Sequence, residues 1–111
     1  MMNTNIELIN NRTLCDIQAD FCSVFTNPIR IRIMLALGEN ELSVGEIAEK
    51  LNIDITMPNL SQHLRLMKDR LCLCCRKDGK NVYYRVTSPL FLEAMSLIRS
   101  GIKEAERTRL Q

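Results

Sequence analysis

Between residues 56 and 86 the spacing of the apolar side chains changes from three-and-four to two, and this constrains the fold more than any other feature of the chain. Leu60, Leu64, Met67 and Leu71 recur at helical spacing. Directly after them, Cys72–Lys77 and Asn81–Val86 alternate on either side of Asp78-Gly79-Lys80, the pattern of a β-hairpin closed by a tight turn at Asp-Gly. Upstream, Ser43-Val44-Gly45-Glu46 has the spacing of a capping box and starts a short helix to about Leu51. Asn52–Ile55 is then the turn, and Thr56 is an N-cap for a helix over Met57–Leu71, with Pro58 tolerated in its first turn. Two helices joined by a short turn, the second carrying polar residues, form a helix-turn-helix pattern, here followed at once by a hairpin.

The flanks are helical. Ile6, Ile9, Thr13, Ile17, Phe21, Val24 and Phe25 predict a first helix over residues 5–26, stopped at Asn27-Pro28 because the residue before proline leaves the helical region. Pro28 opens a second helix, Ile29–Leu37, capped by Gly38. Ser88-Pro89 opens a last helix to about Arg107, with Leu90, Ala94, Met95, Ile98, Ile102 and Ala105 as its stripe. The order α-α-α-α-β-β-α is that of a winged helix-turn-helix, mainly α with a small β-hairpin. The expected organisation is one domain over 1–111, with the helix-turn-helix at about 43–71, the wing at about 72–86, and outer helices at about 5–26 and 89–107.

Length and composition remove several classes. The chain has 111 residues, 46% apolar and 25% charged, enough for one globular core and too short for a multidomain enzyme. No apolar run reaches the ~20 residues of a membrane span, so no membrane partner is expected. The first residues lack a basic segment followed by a continuous apolar one, so no secretory signal is read there. Five cysteines without a disulfide framework point to a reducing, cytoplasmic setting.

The net charge of +2 is unevenly spread. Residues 61–85 hold seven basic side chains against two acidic ones, a local +5 that leaves the rest at −3. A basic block on an otherwise acidic small domain is the footprint of a nucleic-acid surface. At 100° per residue, Leu60, Leu64, Met67 and Leu71 face the core, Gln62, Arg65 and Asp69 face away, and Asn59 and Ser61 flank them. Gln matches the adenine edge and Arg the guanine edge in the major groove. Arg76, Lys77, Lys80 and Arg85 on the hairpin can reach phosphates or the minor groove. The predicted DNA-binding set is therefore Thr56, Asn59, Ser61, Gln62, His63, Arg65, Lys68, Arg76, Lys77, Lys80 and Arg85. His63, the one histidine, falls at the rim of the helix as a local hydrogen-bonding or phosphate-touching residue. Tyr83 and Tyr84 point to opposite faces of the hairpin, one of them toward the preceding helix.

Asn27-Pro28-Ile29-Arg30, Glu41–Ala48, Leu60-Ser61-Gln62-His63-Leu64 and Asp78–Val86, in unbroken order over about residues 21–100, resemble the ArsR/SmtB family of bacterial and archaeal repressors. The resemblance implies a homodimer through the first and last helices, binding to double-stranded operator DNA, and release by metal ions or by oxidative or sulfur chemistry. Several departures bear on the effector. Ser43 and Gly45 stand where the family's soft-metal box has cysteines, residues 89–107 contain no histidine for its zinc-type site, and Leu35 stands where thiol-sensing members have a cysteine. Asn52–Asn59 is about two residues longer than usual, and Leu71 replaces the glycine that ends the fourth helix.

The remaining chemical signal is sulfur. Cys72 and Cys74 would share one face of a strand and Cys75 the other, with Arg70, Arg76 and Lys77 near enough to stabilise a thiolate. Cys15 and Cys22 lie on one face of the first helix, about 10 Å apart along it, too far to pair directly. Cys72, Cys74 and a third sulfur could hold a soft metal ion, the one candidate cofactor. The expected function is a sequence-specific DNA-binding regulator, a repressor released through cysteine chemistry. The alternatives are a regulator without a small-molecule effector, a winged helix that docks proteins, and a thiol oxidoreductase. Exposed Asn, Ser, Gln and Arg argue against docking, which favours aromatic and aliphatic anchors. No cofactor loop or Cys–His pairing supports an enzyme.

Overall fold

A computed structural model describes residues 7–110. Its elements are α1 (Arg12–Cys22), α2 (Pro28–Leu37), β1 (Leu42–Ser43), α3 (Val44–Leu51), α4 (Met57–Asp69), β2 (Leu73–Asp78), β3 (Asn81–Val86) and α5 (Pro89–Arg109), with a 3-10 turn over Ser23–Thr26. This is a winged helix-turn-helix.

Local chemistry sets most boundaries. Asn27 Oδ1 accepts from Ile29 N–H at 2.8 Å to cap α2, and Ser88 Oγ accepts from Leu90 N–H at 3.2 Å to cap α5. The capping box of α3 is complete: Glu46 N–H donates to Ser43 Oγ at 3.2 Å and Ser43 N–H donates to Glu46 Oε1 at 2.9 Å. Those bonds to Ser43 hold the Glu46 carboxyl below its ordinary pKa.

Four expectations need correction. The first helix is not continuous over 5–26: residues 7–10 are helical, Asn11 interrupts them and caps α1 through Leu14 N–H, and the chain tightens to a 3-10 turn at Ser23. Residues 5 and 6, including Ile6 of the expected stripe, lie outside the described residues. The fourth helix ends at Asp69, with Arg70 as its C-cap. Leu71 does not reach the core; it adopts the left-handed conformation (φ 70°) and is 62% exposed. Its N–H donates to Lys68 O and Cys72 N–H to Met67 O, the paired bonds of a Schellman ending in which glycine is the unstrained residue. The last helix runs two residues further than expected, to Arg109.

The hairpin is also joined by a strand that periodicity did not suggest. β1 pairs antiparallel with β3, Leu42 opposite Tyr84, giving the order β1-β3-β2. β2 and β3 pair from Leu73–Val86 to Asp78–Asn81, so the loop is Gly79-Lys80. Only Gly79 takes a positive φ (62°), as a two-residue turn with glycine in its first position requires.

The core is Val24, Ile33, Met34, Leu37, Ile47, Leu60, Leu64, Met67, Cys72, Leu73 and Val86, and among the described residues no polar or charged residue is buried with it. It locks α2, α3, α4 and the sheet together. By contrast no residue of α1 or α5 is buried, although Ile17, Leu90, Ile98 and Ile102 are 50–65% exposed. Phe21 and Phe91, 4.3 Å between ring centres, join the two outer helices. Among the described residues no helix is long and apolar enough to cross a membrane.

Candidate nucleic-acid interface

Leu60, Leu64 and Met67 anchor α4 in the core and thereby orient its opposite face. Asn59, Gln62, Arg65, Lys68 and Asp69 are exposed on that helix, while Ser61 and His63 are half-buried at its edges. Thr56 is committed to the helix start, its Oγ1 accepting from Asn59 N–H at 3.2 Å. Gln62 and Arg65, with Asp69 and Arg70 from the same helix end and Asp20 of α1, line an open polar depression. Burial and then the charge of Arg30 hold the His63 imidazole below its ordinary pKa.

The wing stands beside this helix. Tyr84 turns inward onto the core, and burial, followed by Cys75, raises its phenol pKa, with Lys68 and Arg65 of α4 opposing. Tyr83 lies under Arg76, whose guanidinium sits 4.6 Å from the ring centre. Arg76 also pairs with Glu41 at 2.8 Å and approaches Asp78 at 3.8 Å, and the bond to Glu41 raises its pKa. Its charge is thus engaged within the protein. Lys77, Lys80 and Arg85 are exposed and form no ion pair among the described residues.

The thiols are dispersed. Cys72 precedes β2 rather than sharing a strand face with Cys74; it is fully buried with Sγ 3.4 Å from Met34 Sδ, and burial pushes its pKa up to about 12. Cys74 approaches Arg85 O at 3.9 Å, and Cys75 pairs across the sheet with Tyr84. Cys15 and Cys22 are exposed on α1, Cys15 Sγ lying 3.1 Å from Leu8 O. Arg70, expected beside the wing thiols, instead donates to Ser23 Oγ and, at 3.5 Å, to Asp20 O at the end of α1. Among the described residues no three Cys, His, Asp or Glu side chains come together as a metal site, which corrects the expected three-sulfur arrangement. Burial of Cys72 removes the ligand that arrangement depended on.

Sequence reasoning gave Arg30 no role at the site and misplaced Arg70, which reaches Asp20 and Ser23 instead of the wing. Their positions in the chain mark them only as a first-turn residue and a helix-end residue; what they reach is set by tertiary packing.

A family model described as a helix-turn-helix domain matches residues 25–70. The chain is 29% identical over 91 residues to an uncharacterised HTH-type transcriptional regulator, Rv0081, of Mycobacterium tuberculosis, covering 82% of this chain and 79% of that one. The crystal structure of Rv0081 superposes with a TM-score of 0.77 over 88% of this chain and 97% of the other, at 28% identity. The HTH-type transcriptional repressor SmtB of the same organism is 29% identical over 68% of this chain and 54% of its own length. The chain is thus similar to HTH-type transcriptional regulators and to the SmtB repressor, in line with the ArsR/SmtB resemblance of its motifs. As in the ArsR/SmtB arrangement expected from its motifs, α3 and α4 are the helix-turn-helix and β2–β3 the wing. NolR of Sinorhizobium fredii shares the architecture at a TM-score of 0.67 and 28% identity, over 78% of this chain and 84% of NolR.

Proposed function

We propose that the chain represses transcription by binding operator DNA as a homodimer, in the cytoplasm, and that it has no catalytic activity. The observation that carries this is the exposed Asn59–Gln62–Arg65 face of α4 together with the wing cations Lys77, Lys80 and Arg85, which are exposed and form no ion pair among the described residues. The α4 side chains read base edges in the major groove. Wing cations, with Lys68, hold the backbone and supply the salt dependence. The exposed apolar residues Ile17, Leu90, Ile98 and Ile102 of α1 and α5 are covered across the dimer axis; a winged-helix neighbour from Mycobacterium bovis with a TM-score of 0.75 and 22% identity is itself homodimeric.

Effector control runs through accessible sulfur. Cys74 and Cys75 follow α4 by a few residues, so oxidation, persulfidation or a soft metal ion there changes the angle at which the helix leaves Leu71. Cys15 and Cys22 on α1 are the competing pair. Cys72, buried and protonated, takes no part.

The test is a titration of the reduced protein on genomic duplexes from its own locus, repeated with oxidant, persulfide and soft metal ions. Tight binding when reduced and release on treatment are expected, with release abolished in Cys74→Ser/Cys75→Ser. Absence of any duplex preference would overturn the repressor reading. Full release in the double variant would move sensing away from the wing.

A further inference from the structure

Arg30 stands in the first turn of α2, outside both the helix-turn-helix and the wing. Its Nε is buried and has no hydrogen-bond partner among the described residues. The guanidinium enters no ion pair there either, and the first turn of α2 contains no acidic residue to balance it. A desolvated guanidinium edge without a partner is costly in a folded protein, and Arg recognises phosphate through its fork of donors. α2 and α4 share the core through Ile33, Met34, Leu60 and Leu64, and His63 of α4 is half-buried at the margin of the face that carries Asn59 and Gln62. Arg30 is the charge that acts on that imidazole. On its own helix the neighbours of His63, namely Asn59, Leu60, Leu66 and Met67, are uncharged.

We infer that Arg30 and His63 together form a clamp for one backbone phosphate of the bound duplex, fixing the entry of α4 into the groove. This rests on the DNA-binding reading above and deepens it. The phosphate supplies the anion that the Arg30 guanidinium lacks inside the protein. It also lies against the imidazole, where its negative charge opposes the burial and the Arg30 charge that hold the His63 pKa down in the free protein. Contacts of this kind carry no sequence information; they set register, and their loss weakens operator and random duplexes alike.

The experiment compares the parent, Arg30→Met and Arg30→Lys by anisotropy on an operator duplex and a random duplex over a range of salt. Arg30→Met keeps the aliphatic packing and removes the charge. It should weaken both duplexes by the same factor and make the dependence of log K on log salt shallower by about one unit. Arg30→Lys should restore the slope. Because His63 is the sole histidine, its titration is followed by NMR in the parent without assignment ambiguity, and its pKa should rise on the duplex. This second measurement decides the matter if Arg30→Met does not fold. Inorganic phosphate at matched ionic strength should leave the His63 titration unchanged; a rise equal to that on the duplex would make the site a free-anion site instead. An unaltered slope, a loss confined to the operator, or a His63 pKa equal in free and bound protein overturns the clamp. Failure of the parent to bind either duplex would sink the DNA-binding reading itself, and the clamp with it.

Discussion

Gln62 and Arg65 are three residues apart on the exposed face of α4, close enough along the helix to read neighbouring base pairs. Replacing either by Ala should cost roughly 1–3 kcal/mol on the operator and little on random DNA. Lys77→Ala or Lys80→Ala should weaken both duplexes equally and flatten the salt slope by about one unit each; equal losses for all four variants would show that α4 is not the reader. His63 adds a pH dependence to stability. Its pKa is depressed in the fold, so the unfolded chain binds the proton more readily. The stability due to the neutral imidazole is complete above about pH 6.5 and is lost as the pH falls through the folded value. His63→Gln should therefore flatten the decline of Tm just below pH 6.5, and an unchanged decline would contradict this. Cys72, with its pKa pushed up to about 12 and its side chain buried against Met34, should be the last thiol alkylated and should react only on unfolding.

At the scale of elements, Leu71 holds a strained ending. A non-glycine residue in the left-handed region costs roughly 1–2 kcal/mol, so Leu71→Gly should stabilise the chain by about 1 kcal/mol in urea unfolding; destabilisation would show that its side-chain contacts outweigh the strain. Much of this level was legible in the sequence because its causes are local. Ser43, Thr56 and Ser88 each cap the helix they precede, as their spacing predicts, while Asn27, expected only as a stop, also caps α2; the hairpin closes through Gly79-Lys80, one residue beyond the expected Asp-Gly turn. Leu71 was misread because helical phase alone continues past Arg70, whereas the Schellman bonds end the helix there. Strand β1 was invisible since two residues carry no period, and its pairing with Tyr83 and Tyr84 is non-local. The same limit applies to the site. The outward face of α4 follows from phase, but the engagement of Arg76 by Glu41 joins residues 35 positions apart, and that of Arg70 by Ser23 joins residues 47 apart. Neither has a sequence signature.

The whole molecule explains why the outer helices look unfinished. α5 extends about 30 Å with no buried residue, and with α1 it borders an apolar groove of about 540 Å³ lined by Leu14, Ile17, Phe21, Phe91 and Ile98. A contiguous apolar surface of this kind is what a second copy covers. Ile98→Glu should shift sedimentation from a dimer toward the 12.8 kDa monomer and abolish operator binding while leaving the core fold intact by circular dichroism. Two-fold pairing of α4 helices requires half-sites one helical turn apart, so a monomer can hold only one of them. The most direct measurement is a competition titration of the reduced protein between its selected operator and a scrambled duplex at fixed salt. Binding of two chains per operator with a preference of about 10³-fold or more is predicted; equal affinity for the two duplexes would contradict the account.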